Sequence, residues 1–173
     1  MKARMEIMPK TIFLICAAIL LAGGLAAESA AGLKWTDPAG WPSQGSAPFR
    51  VVTYSVPAIP GSEKAECIVY FFGPGQGGSV EANLDRWKGQ FSRDGKPAEA
   101  RVARRTVHGI PVTTIDLAGT YTGGQGAQAG YRMLAAIVEG AGGNIFIRFI
   151  GPEKTVTAGL AKYEQLLASL QPK

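Results

Sequence analysis

Two neighbouring segments near the C-terminus are apolar at every alternate position on both sides, and they constrain the fold most strongly. They are Tyr131–Val138 and Asn144–Ile150, and within them only Arg132 and Arg148 are charged. A strand with two apolar faces is usually covered on both sides. The glycine-rich segment 140–143 between them is typical of a tight turn. The sequence therefore predicts a central hairpin between two covering layers.

Two amphipathic helices are predicted to supply much of that cover. The first follows Ser79, a favourable N-cap residue. The second begins near Pro152, which suits a first helical turn. Apolar residues at helical spacing mark their buried faces: Val80, Leu84, Trp87 and Phe91 in the first, and Val156, Leu160, Tyr163, Leu167 and Leu170 in the second.

Four further strands complete the predicted sheet. Their β-branched and aromatic composition favours strands at Phe49–Val56, Ala65–Phe72, Arg101–Val107 and Val112–Leu117. His108-Gly109 is typical of a hairpin turn. The order β-β-α-β-β-β-β-α predicts an α+β fold in which a largely antiparallel, six-stranded sheet forms a three-layer α/β/α sandwich. We interpret residues 32–173 as one globular domain, with an irregular lead-in at 32–48 that packs Trp35 and Trp41 against the sheet edge.

The N-terminus resembles a secretory signal peptide. Lys2, Arg4 and Lys10 precede a charge-free apolar run that Gly23-Gly24 interrupts, and small residues follow up to position 31. An uncleaved anchor would need about 20 apolar residues. We therefore expect residues 1–31 to be removed, leaving an exported, periplasmic or extracellular protein with no stable membrane span.

The order of these features resembles the PsbP-like superfamily, named for an extrinsic subunit of the photosynthetic oxygen-evolving complex. The features that carry this resemblance are Asp37-Pro-Ala-Gly-Trp41, the capped Trp87 helix, the Tyr131–Phe149 hairpin, Gly151-Pro152 and the closing Tyr163–Leu170 helix. The resemblance implies an α/β/α sandwich and an accessory, binding or assembly role. It implies no catalytic residues, and the leader points to the exported bacterial members.

Catalytic and metal chemistry find little support in the composition. With Cys16 in the leader, one cysteine and one histidine, Cys67 and His108, remain, so they cannot supply three such metal ligands. The Gly73-x-Gly75-x-x-Gly78 segment matches a dinucleotide motif but lacks a strand-ending acidic residue about 20 positions later, because Asp94 and Glu99 fall in a predicted connecting loop. We predict no catalytic residue, no cofactor and no metal. The rival enzyme hypothesis is a hydrolase that uses carboxylates alone, for example Asp116.

Two glycine-rich loops are the predicted ligand site. The first contributes Gly75, Gln76, Gly78 and Ser79, and a flexible loop at 119–130 contributes Tyr121 as a lid and Gln125. If Ala65–Phe72 and Val112–Leu117 run in the same direction, both loops lie at one sheet edge. Free N–H groups at the helix start would then favour a small polar or anionic ligand. The alternative is that both loops are simple connections.

A basic stretch offers a second interaction surface. Residues 86–105 hold much of the excess positive charge of this chain, whose formal net charge is +5. Arg101, Arg104 and Arg105 could contact an anionic surface in the cell envelope, or could protect a sheet edge from aggregation. Interleaved exposed aromatic residues are missing, which argues against nucleic acid. We therefore predict a non-enzymatic exported accessory domain that binds an unknown protein or small ligand.

Overall fold

A computed structural model of the chain describes residues 27–173. It contains eleven strands and two helices, numbered in chain order. The strands are β1 (Ala27–Ala30), β2 (Leu33–Thr36), β3 (Arg50–Val56), β4 (Ala65–Phe71), β5 (Phe91–Arg93), β6 (Lys96–Pro97), β7 (Ala100–Val107), β8 (Ile110–Gly124), β9 (Gly126–Gly140), β10 (Gly143–Pro152) and β11 (Gln171–Pro172). The helices are α1 (Val80–Lys88) and α2 (Glu153–Ala168).

The main sheet is antiparallel and has eight strands, so the prediction of six was wrong. Its order is β3-β4-β10-β9-β8-β5-β6, and β7 also pairs with β8. The extra strands are β5 and β6, which turn at Asp94 and Gly95, both with positive φ. Phe91, predicted on the face of the first helix, instead starts β5, because the helix ends at Gly89.

Both predicted hairpins are present. His108 and Gly109, with φ of 46° and 82°, connect β7 to β8. The glycine-rich segment 140–143 connects β9 to β10, and Val138 pairs with Ile145 across it. Successive positive φ values are the requirement of a type I′ turn, and they explain the glycine at position 109.

The segment predicted as a flexible loop, 119–130, is the outer part of one long hairpin. Strands β8 and β9 have fifteen residues each and turn at Gln125. Gly119 has φ of 150°, and a Cβ there would lie 2.3 Å from the carbonyl oxygen of Ser92. Glycine is therefore needed because the backbone of β5 passes so close to β8. This segment has the composition of a loop, but its two sides pair as strands, for example at Tyr121 and Gln128.

Two cores lie on opposite faces of the sheet. Alternate residues of β9 divide between them: Leu134, Ala136 and Val138 lie in the core under α2, and Met133 and Ala135 lie in the core under α1. A mixed α+β fold with a helix on each face of an antiparallel sheet confirms the predicted class and layering. Leu84, Trp87 and Tyr163 are buried as expected, and Leu160 is partly buried against the α2 core.

The lead-in is more regular than predicted, because β2 pairs with β1 and β11 in a small separate sheet. Trp35 and Trp41 are buried, which confirms that they pack rather than form an exposed platform. The Trp35 indole donates to the Tyr54 hydroxyl at 3.0 Å, and that hydroxyl donates to Asp37 at 2.5 Å. A short polar network thus fastens this sheet to β3.

The predicted signal peptide lies outside the described residues except for its last few. Ala27–Ala30, at its predicted end, forms β1, and the Ala31 carbonyl accepts a hydrogen bond from Gly142 N–H at 3.0 Å. Neither helix within residues 27–173 has the length and apolar composition needed to cross a lipid bilayer.

Candidate functional site

The structure does not bring the two predicted glycine loops together. Strand β4 ends at Phe71, which lies level with Ile145 of β10, Val138 of β9 and Val112 at the start of β8. Tyr121 lies towards the other end of β8. Strands β4 and β8 run in opposite directions, so the expectation of one shared edge was wrong.

The first loop is packed as a structural connection. A Cβ at Gly77 would lie 2.5 Å from the ring of Phe146, so only glycine allows this approach. Asn83, whose role the sequence did not reveal, donates to the carbonyl oxygens of Gly77 and Ser79 at 2.8 and 2.9 Å. Ser79 accepts from Ala82 N–H at 3.2 Å, which confirms the N-cap. Gly75, Gln76 and Gly78 are exposed beside this cap.

The three predicted arginines on β7 do not form one patch. Arg104 lies on the α1 side of the sheet, 3.6 Å from Glu81, whereas Arg105 lies on the α2 side, 2.8 Å from Glu164. Arg101 pairs in register with Asp116 and lines a separate shallow hollow. Successive residues of a strand point to opposite faces, which separates neighbours in sequence.

The side chains considered for catalysis are buried or already contact other protein groups. Both carboxylate oxygens of Asp116 accept from Arg132, at 2.9 and 2.8 Å. Cys67 lies in the α2 core, where burial raises the pKa of its thiol, while His108 contacts the Leu170 carbonyl at 2.8 Å. Across residues 27–173, no group of three histidine, cysteine or carboxylate side chains could hold a metal ion.

The α1 side of the sheet carries an open groove that the sequence reasoning missed. The core under α1 draws on β8, β9 and part of β10 and, within the described residues, includes no residue of β3, although Thr53 and Ile68 on this face are buried. The groove encloses about 470 Å³. Its floor includes Ile68, Arg148 and Ile150, and the outer part of the long hairpin forms one wall. We call this the Arg148 groove.

Arg148 is the chemically distinctive residue of this groove. It lies on the middle strand β10, opposite Ile68 of β4, and its side chain is half-buried. Its Nη2 donates to the Tyr121 hydroxyl at 3.1 Å, whereas its Nε is buried and has no acceptor among the described residues. No carboxylate in the part of the chain that the structure describes lies within 4.0 Å of it.

A half-buried guanidinium with no carboxylate in contact among the described residues is an unusual arrangement. Arginine stays protonated, and removing its charge from water is unfavourable unless an anion or good acceptors compensate. The outer end of the hairpin supplies one acceptor, Tyr121. Glu66 also lines the groove, but it pairs with Ile150, which lies two residues beyond Arg148 on β10. Among the described residues Arg148 therefore has no ion pair, and Glu66 is the one carboxylate that lines the groove.

Tyrosines line the groove around Arg148. Tyr121 is buried between Phe91, at a centroid distance of 5.2 Å, and Tyr131, at 6.2 Å. It is therefore a fixed wall residue rather than the predicted lid. Its hydroxyl accepts from Arg148 and keeps a proton to donate. Across the groove, the Arg50 guanidinium lies 5.7 Å from the centroid of the Tyr70 ring. Gln125 is exposed at the hairpin tip, and Gln128 lines the groove instead.

Comparisons with known proteins support the fold. No protein-family model and no curated protein matches the chain by sequence. The structure is similar to the protein of unknown function PA94 from Pseudomonas aeruginosa, with a TM-score of 0.54 and 10% identity over 86% of this chain and 96% of that one. It is also similar to the cyanobacterial PsbP (CyanoP) of Synechocystis sp. PCC 6803, with a TM-score of 0.53 and 15% identity over 83% and 88% of the two chains. The chain therefore has a PsbP-like fold.

Proposed function

We propose that this chain is an exported, non-enzymatic binding module that holds an anionic group of its ligand in the Arg148 groove. The observation that carries the proposal is the unpaired guanidinium of Arg148, half-buried between tyrosines at the centre of an open surface. Arg148 lines the open groove, so its guanidinium N–H groups other than the buried Nε–H can donate to an incoming carboxylate or phosphate. Hydrogen bonds between charged partners are roughly twice as strong as neutral ones.

The surrounding residues support binding rather than turnover. Tyr121 can donate one further hydrogen bond to the same anion, and Arg50 and Lys64 add positive charge at the rim. Asp116, the carboxylate of the hydrolase hypothesis, lies on the opposite face of the sheet in its ion pair with Arg132. The groove thus combines fixed donors with positive charge, as a receptor for an anion requires. Export, as the leader pattern predicts, is part of the same proposal.

The test is a titration of the isotope-labelled protein with sodium phosphate and sodium acetate, followed by NMR. We expect the amides of Arg148, Ile150 and Tyr121 to shift. Arg148→Gln should weaken the binding about ten-fold or more, because it removes a charge-assisted hydrogen bond worth about 1.5–3 kcal/mol. Arg104→Gln removes an equal charge from an exposed site and is the matched control.

Two results would contradict the proposal. One is an unchanged affinity in Arg148→Gln. The other is a shift confined to the Gly75–Val80 amides, which would locate the anion at the helix N-terminus that the sequence suggested.

A further inference from the structure

The Arg148 groove continues into a row of aromatic rings at one end. Tyr70, which lines the groove, is parallel to Phe72 at a centroid distance of 6.0 Å. Phe72 contacts Phe49 at 5.5 Å and Phe146 at 5.6 Å. Phe49 ends the row and is 63% exposed, the most exposed large apolar side chain within residues 27–173. We call Tyr70, Phe72 and Phe49 the aromatic row.

The backbone holds Phe49 in this exposed position at an energetic cost. Arg50 N–H donates to the Ala47 carbonyl at 2.9 Å, which closes a four-residue turn with Pro48 second and Phe49 third. Phe49 has φ of 63°. This is the third position of a type II turn, where glycine is strongly favoured. A bulky residue with positive φ is rare, and its backbone is strained.

The turn also fixes where the ring lies. The Phe49 carbonyl accepts from Phe71 N–H at 3.0 Å, so β4 anchors the turn from the other side. The chain therefore keeps an aromatic residue where glycine would fit better, and presents its ring to solvent beside a charged groove. An aromatic residue at a turn position that favours glycine could be explained by burial of its ring in the core, but the ring of Phe49 is exposed.

We propose that the ligand of the Arg148 groove is an amphiphilic anion whose carboxylate or phosphate binds Arg148 and whose flat apolar body lies along the aromatic row. This inference rests on the proposed function of the groove. Arg148 is level with Ile68, and Phe72 lies four residues further along the chain, or roughly 13 Å in an extended strand. A body of two linked aromatic rings matches that length, and Phe49 would cover its far end.

The experiment compares three probes that separate charge from apolar body: acetate, biphenylcarboxylate and the neutral biphenylcarboxamide. Binding is measured by NMR titration of the full chain. We expect biphenylcarboxylate to bind at least about ten-fold more tightly than acetate, since burial of one aromatic ring contributes about 1.5–3 kcal/mol. Biphenylcarboxamide should bind much more weakly than the carboxylate.

Phe49→Gly is the decisive variant because glycine suits the turn. It should leave the melting temperature unchanged or raised, keep the affinity for acetate, and lower the affinity for biphenylcarboxylate about five-fold or more. Arg148→Gln should lower the affinity for both anions. Val102→Gly, at an exposed apolar residue on β7, is the control for removal of apolar surface.

The outcomes separate the two proposals. Acetate binding at Arg148 with no preference for biphenylcarboxylate, or with unchanged biphenylcarboxylate affinity in Phe49→Gly, would overturn the amphiphilic ligand and leave the anion site. A wild-type protein that binds neither anion in the groove would overturn both. Equal binding of the carboxamide and the carboxylate, unaffected by Arg148→Gln, would show apolar binding without an anion site.

Discussion

The two faces of the main sheet are built from the same strands but are covered to different extents. On one face, α2 has sixteen residues and works together with the buried Trp35 and Trp41 of the lead-in. On the other face, α1 has nine residues, and within the described residues the core beneath it includes no residue of β3. The first face is a closed core, and the second is half core and half groove.

Because of this difference, one face of the sheet serves mainly the stability of the fold, and the other also carries the candidate binding site. Residues of β10 that face α2, such as Ile147 and Phe149, are fully buried and apolar. On the opposite face of the same strand, Phe146 packs near α1, and Arg148 lies where the helix no longer reaches. A short covering helix thus leaves room for a charged side chain on a strand that is otherwise suited to a core. The length of α1 decides where the core ends and the site begins.

The strongest test of the comparison removes the main contact of α1. Trp87 is 1% exposed and packs in the α1 core. Trp87→Ala should destabilise the protein by about 3–5 kcal/mol, as expected for loss of a large buried aromatic ring. Chemical denaturation measures the change, and Lys88→Ala, an exposed neighbour, is the control. A wild-type unfolding curve for Trp87→Ala would mean that α1 does not form a core at all.

A matched pair of tyrosines sharpens the description of the closed face. The Tyr54 hydroxyl bonds Trp35 and Asp37, whereas the Tyr163 hydroxyl is buried without a partner among the described residues. Tyr54→Phe should cost about 1–3 kcal/mol because it leaves a buried indole N–H unpaired. Tyr163→Phe should be neutral or slightly stabilising. Thermal unfolding of both variants tests this, and equal effects would contradict the assigned network.

The pH dependence of unfolding at alkaline pH tests whether water reaches the closed face of the sheet. Burial raises the pKa of Cys67 far above its ordinary value of 9.0. Unfolding therefore releases a thiol that ionises more readily, so the contribution of Cys67 to the free energy of unfolding is unchanged well below pH 9 and falls as the pH rises through that value. The loss should reach about 1.4 kcal/mol one pH unit higher. Denaturation of wild type and Cys67→Ala at pH 8 and 10 measures it, and parallel pH dependences would show a solvated thiol.

Much of the fold could be predicted from local patterns. The His108-Gly109 turn, the Ser79 cap and the two helices depend on residues close in sequence and were confirmed, although Phe91 and Leu170 lie beyond the helix ends. The outer half of the long hairpin was missed because its Gly, Gln and Thr residues have the composition of a loop. Its strand structure depends on pairing between Tyr121 and Gln128 and on the approach of β5 to Gly119. Such distant contacts leave no periodic signal.

The site was harder to predict than the fold. Tyr121 was predicted as a lid on a flexible loop, whereas it is buried in the outer part of the long hairpin and lines the groove. Arg148 was visible as an interruption of an apolar strand, and that was its only signal. Whether Arg148 lies in a core or in a groove depends on where α1 ends over the sheet, and the sequence of β10 does not determine that position. Phe49 likewise looked like the start of a strand until the turn geometry was known.

The pairing of β4 with β10 has a consequence for when the groove can exist. Ile68 and Arg148 are neighbours in this pairing although they come from opposite halves of the chain. The wall at Tyr121 comes from a third region between them. No short contiguous fragment contains the groove, because its lining residues run from Arg50 to Gly151. A local opening that separates β4 from β10 would remove its floor while the hairpins of β7 to β10 remain paired. Ligand affinity and the cooperativity of the main sheet are therefore coupled, and a bound ligand stabilises the strand pairing of longest sequence separation in that sheet.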